Sequence, residues 1–162
     1  MADTIVSAKY VDDRDWDKKG PHTGFQISTA KQEIYMMMDS RQICCESSSL
    51  EYYFVLGDGK IYEADGCFFE QMEKLLVGQE IASIRWGFDK DLPPSYANKN
   101  PNISSGEEGD DWIFGVAFVE LKTTNNAKLQ LIAQNWHNGY YHHNVHVQWM
   151  KDGKLFQDCQ EI

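Results

Sequence analysis

The chain has 162 residues, 42% of them hydrophobic and 13% aromatic, which is enough apolar area to close one core and favours pleated structure. Its 25 acids against 15 bases leave a formal charge of -10, which repels a phosphate backbone and excludes ordinary nucleic-acid binding. Four cysteines without Cys-x-x-Cys spacing exclude a zinc knuckle and a secreted disulfide framework; with no leader and no run of about 20 apolar residues, one soluble cytoplasmic domain is expected, off the membrane.

Thr4 to Tyr10 reads as a short apolar piece, followed by loop chemistry from Asp12 to Pro21. Asp13, Asp15 and Asp17 copy the opening of a calcium-binding EF-hand loop. Lys18 then stands where glycine is required, and Gly24 where the bidentate Glu belongs, so a solvated acidic turn is expected. Phe25, Ile27 and Thr29 alternate, turn over Ala30 to Gln32 and resume at Ile34 to Met38, a hairpin pattern. Strands are expected at Gln42 to Glu46 and at Leu50 to Leu56, the second turning at Gly57-Asp58-Gly59 into Lys60 to Tyr62.

Phe68, Phe69, Met72, Leu75 and Leu76 fall at helical spacing and Gly78 suits a left-handed cap, so the main helix is expected at about 65–77. A strand at 80–86 follows. Residues 89–111 hold three of the four prolines and many acids, and read as a long polar and acidic insertion loop in a single domain, 1–162. The remainder reads as a meander over 112–123, 128–136 and 140–150, with Asn138-Gly139 the strongest hairpin signal and a last turn at Asp152-Gly153. The expected fold class is α+β: a twisted, mainly antiparallel sheet of hairpins packed on the one main helix.

Four of the five histidines, His137, His142, His143 and His146, invite a metal reading. Strand geometry opposes it, because a rise of about 3.3 Å per residue separates His142 and His146 by roughly 13 Å. The pattern instead divides into a polar set (His142, Asn144, His146, Gln148) and a core set (Tyr141, Val145, Val147, Trp149). Cys44 and Cys45 have only Arg41 as a local positive charge and read as structural. Glu107, Glu108, Asp110 and Asp111 read as a charged loop, whose functional alternative is imitation of nucleic-acid phosphates. No phosphate-cradling loop, nucleophile elbow or dinucleotide fingerprint is present, so no cofactor and no catalytic set are assigned. The aromatic and amide-rich stretch offers planes to stack on and amides to bond, which makes Trp136, His137, Asn138, Tyr140, Tyr141, His142 and His146 the expected ligand-binding residues.

Cys44-Cys45-Glu46, Leu75-Leu76-Val77-Gly78-Gln79-Glu80-Ile81 and Asn138-Gly139-Tyr140-Tyr141 resemble an uncharacterised small-domain family of phages and other viruses, over about 41–146 without the acidic insertion. The resemblance implies an accessory viral protein with no enzymatic residue set to carry over. The functional expectation is therefore a non-enzymatic binding protein, a viral anti-defence factor that sequesters a small nucleotide-like signal or blocks a host protein. A homo-oligomer is compatible with it. Two alternatives stand beside it: a metal-dependent hydrolase or nuclease built on His137, His142 and His146, and an acidic inhibitor that mimics nucleic acid.

Overall fold

Alternating apolar residues carry most of the chain into strands, and the computed structural model describes residues 3–15, 20–41, 46–63, 68–98, 113–137 and 142–162. In chain order the elements are β1 (Ile5–Asp15), β2 (Pro21–Thr29), β3 (Glu33–Asp39), β4 (Glu46–Val55), β5 (Ile61–Glu63), α1 (Phe68–Leu76), β6 (Ile81–Phe88), α2 (Pro94–Ala97), β7 (Ile113–Thr123), β8 (Lys128–His137), β9 (Asn144–Lys151) and β10 (Lys154–Glu161). The strands form two antiparallel sheets, in the spatial orders β1-β2-β3-β9-β10 and β5-β4-β8-β7-β6.

Strand alternation gives each sheet one apolar face, and the two faces meet. Phe25, Ile27, Ile34, Met36, Val145 and Val147 from the first sheet pack against Tyr52, Phe54, Val119, Leu121, Leu129 and Leu131 from the second. Between them remains a void of about 10 Å³, too small to host a bridging water among apolar walls. The second sheet also buries part of its outer face. Tyr53, Val116, Phe118 and Ile132 form a smaller apolar layer beneath Leu92 and the fully buried Tyr96 of α2.

The helix closes the β1 side of the sandwich. Met72 and Leu76 point into the core while Leu75 and Val77 stay exposed, and Phe69 stacks on Tyr10 with ring centroids 4.2 Å apart. Phe25 and Tyr52 complete that aromatic cluster. Burial pushes the Tyr52 hydroxyl up, and the neighbouring Tyr10 and the Asp12 carboxylate add to the rise. At the helix exit Gly78 takes a φ of 86°, and Ile5 bonds back to this turn through Gly78 N–H and Gln79 C=O.

The sheet-rich, antiparallel expectation holds, but several parts of it are corrected. One sheet on a helix becomes two facing sheets with a short helix of 9 residues at their side. A single strand, β4, runs from Glu46 to Val55 where two were expected, and residues 42–45 lie outside the described ones. Strand β1 continues through the supposed acidic turn to Asp15, with a register shift between Val11 and Arg14 that lets the polar stretch stay paired. The insertion is ordered at its start: Asp89–Asp91 form a 3-10 turn and α2 follows, whereas 99–112, including Glu107 to Asp111, lie outside the described residues.

The largest correction concerns the meander. Strands β7 and β8 pair as expected, and Asp152 and Gly153, both at positive φ, make the two-residue turn of the β9–β10 hairpin. Strands β8 and β9 are not partners. The former sits between β4 and β7, the latter between β3 and β10, so the chain around Asn138-Gly139 passes from one sheet to the other.

Candidate functional site

That crossing divides the expected binding residues. Trp136 is on the outer face of the second sheet, 37% exposed, with its ring 4.5 Å from that of Phe114. His146 is on the outer face of the first sheet, on the far side of the sandwich. One pocket cannot take both. His142 is exposed just ahead of β9. His137 ends β8, its side chain outside the described residues, as are Asn138, Tyr140 and Tyr141. Among the described residues no group of three or more His, Cys, Asp or Glu side chains is arranged to hold a metal ion.

Next to Trp136 the outer face is occupied by the protein's own contacts. Tyr53 donates its hydroxyl to Glu51 Oε2 at 2.5 Å, Gln134 Nε2 donates to Ser49 Oγ at 2.7 Å and Glu51 Oε1 at 3.0 Å, and Tyr96 donates to Gln134 Oε1. Burial, and then the Glu51 charge, push the Tyr96 hydroxyl upward, so it remains a donor at any ordinary pH. This satisfied polar layer ties α2 down and leaves Trp136 as an exposed ring on that face.

The first sheet places a polar cluster at the β2, β3, β9 and β10 positions. Asp39 is buried, and burial alone would raise its carboxyl; the hydrogen bonds and charge of Arg41, with a smaller part from His22, outweigh this and hold it low. His143, which strand alternation puts on the face opposite His142 and His146, is buried with Nδ1 2.7 Å from the Asp39 carbonyl oxygen. On the outer face the His22 and His146 rings lie 5.4 Å apart, and His146 Nε2 is 3.9 Å from Cys159 Sγ. Neither His22 nor Cys159 was expected at a site. The Asp152-Gly153 turn sets Cys159 opposite His146, a local signal that could have found it, whereas His22 reaches His146 only across β3, from more than a hundred residues away in sequence.

The side of the sandwich opposite α1 is open. Here β6 and β10, each at the edge of its sheet, flank a cleft of about 530 Å³. Its floor is core seen from outside: Ile84, Trp86, Trp149 and Phe156, the last two with ring centroids 4.4 Å apart. Trp86 Nε1 donates to Asp158 Oδ2 at 2.9 Å and ties the two edges together. At the other end Gln32 donates to the Asp3 carboxylate and accepts from the Met150 N–H at 2.6 Å. The rim is mixed in charge, Arg85 and Lys151 against Asp3 and Asp152, and Arg85 is already engaged by Glu120 at 3.5 Å and by the Asp91 carbonyl at 3.3 Å.

No protein-family model matches the chain, and neither a curated protein nor a solved structure matches it.

Proposed function

We propose that this is a non-enzymatic binding protein that captures an extended segment of a protein partner in the cleft between β6 and the β9–β10 hairpin. The observation that carries the reading is the coincidence of two sheet edges with an aromatic floor. An edge strand offers a row of backbone donors and acceptors, and an incoming strand that pairs with it gains affinity from them, while alternate side chains drop onto the apolar floor. A volume of about 530 Å³ over Trp86, Trp149 and Phe156 suits a few such side chains. The balanced rim and the prior engagement of Arg85 favour a peptide over a phosphate-bearing, nucleotide-like ligand, which needs uncommitted positive charge. In the setting that the viral resemblance implies, the partner is a host protein and the outcome is blockade.

The test is selection of short random peptides on the full chain, followed by hydrogen exchange of the complex. Selected peptides should alternate apolar and polar residues and slow exchange at the amides of Ser83 to Trp86. Ala82→Pro sits where the ladder to β7 already slips a register, so it should spare the fold and weaken capture by roughly tenfold. Protection confined to β7 and β8 near Phe114 and Trp136 would transfer the site to the outer face of the second sheet. That second reading is favoured by the exposed Trp136 ring. Failure to select any peptide that protects either region would end the binding proposal in this form.

A further inference from the structure

We propose that Cys159 is a reactive thiol that takes up low-molecular-weight disulfides, with His146 as the base that accepts its proton. Cys159 and His146 are register partners on β10 and β9, so both side chains rise from the outer face of the first sheet. Sγ stands 3.9 Å from His146 Nε2 and 3.8 Å from Asn144 Oδ1, both within reach of a sulfur hydrogen bond. Cys159 is exposed, and a hollow of about 320 Å³ opens beside it, bordered by Tyr35 and Gln157.

His146 is held from its other side. The His22 ring, 2% exposed, lies 5.4 Å from the His146 ring, and its Nδ1 is 2.8 Å from the Gly20 carbonyl oxygen. The two rings approach each other across β3, where Met37, the register partner of both Gly24 and His146, is fully buried. The ring contact with His22 restricts how far His146 can turn, so its Nε2 stays beside the sulfur, a nucleophile with a base at hand. The titratable groups that the register places on the same face are Lys9 from β1, His22 from β2, Glu33, Tyr35 and Asp39 from β3, and Glu161 from β10.

The step balances without any further reactant. The Cys159 S–H proton passes to His146 Nε2, and Sγ attacks one sulfur of the disulfide. The S–S bond of the reagent breaks, a mixed disulfide forms on Cys159, and the departing thiolate leaves with the proton from His146. The cysteine sulfur is oxidised and one reagent sulfur is reduced. The reaction is stoichiometric and independent of peptide capture in the cleft.

The experiment follows the rate of mixed-disulfide formation at Cys159 by peptide-resolved mass spectrometry of the full chain, with hydroxyethyl disulfide as the probe. This reagent is neutral, so the chain's net charge does not enter. At pH 7 the folded chain should react about threefold faster at Cys159 than the urea-unfolded chain, because a larger thiolate fraction is partly offset by the weaker nucleophilicity of a more acidic thiol. The advantage should vanish by about pH 9.5, where ordinary thiols are ionised too. His146→Gln should bring the folded rate at pH 7 down to the unfolded one or below. Equal or slower reaction of the folded wild type at pH 7 would overturn the proposal, as would a His146→Gln chain that keeps the advantage. Should His146→Gln unfold, the pH dependence of the wild-type ratio decides alone, since mere exposure of the thiol gives a ratio with no fall between the two pH values.

Discussion

Two carboxylates illustrate how single residues hold this fold. Asp39 is buried beside Arg41, while Asp158 is held low chiefly by the Trp86 indole N–H, against a smaller opposing effect of burial. A carboxyl whose folded value lies below its unfolded one contributes stability above the ordinary carboxylate range, and that contribution is lost as the pH falls through the folded value. Trp86→Phe removes the donor and leaves an aromatic ring in the cleft. It should lower stability by about 1 kcal/mol at neutral pH, and the gap to the wild type should close as the pH approaches about 2. Urea unfolding midpoints measured across that range check the sign: a gap that widens on acidification would contradict it.

At the scale of elements, the helix was legible because its apolar spacing is local. The side it buries is a further fact that the same spacing predicts. Met72→Ala should cost about 2–5 kcal/mol, since Met72 is 1% exposed, while Leu75→Ala should stay within about 0.5 kcal/mol; paired thermal melts decide. The β2–β3, β4–β5, β7–β8 and β9–β10 hairpins were legible for a similar reason: turn residues such as Asp58-Gly59 and Asp152-Gly153 act over a few bonds. The reading failed where a strong local signal met a long-range choice. Asn138-Gly139 promises a reversal but does not say which strand β9 will join, and Met36 and Met38, buried opposite Val147 and Val145 more than a hundred residues later in the chain, won that pairing by burial. The site suffered most. Its histidines were visible as residues, but His146 meets His22 and Cys159 only through β3 and β10, and Trp86 faces Asp158 only because two sheet edges align.

For the molecule as a whole, the unexpected layer is the second apolar one. A two-sheet sandwich with a solvated outer surface would tolerate Ile132→Ala, because Ile132 faces away from the main core. Here Ile132 is fully buried under the segment that carries Leu92 and Tyr96, so the substitution should cost about 2–4 kcal/mol in denaturant unfolding. A cost under about 0.5 kcal/mol would mean that the segment lifts off in solution. The order of strands in the first sheet has a consequence for synthesis. Strands β1 to β3 leave the ribosome early and can pair at once, yet β3 is central in the finished sheet and its second neighbour is β9. Until Asn144–Lys151 emerges, the nascent chain carries an open edge bearing Tyr35, Met36 and Met37, so the interval of elongation between β3 and β9 is when this protein is most exposed to mispairing with its neighbours.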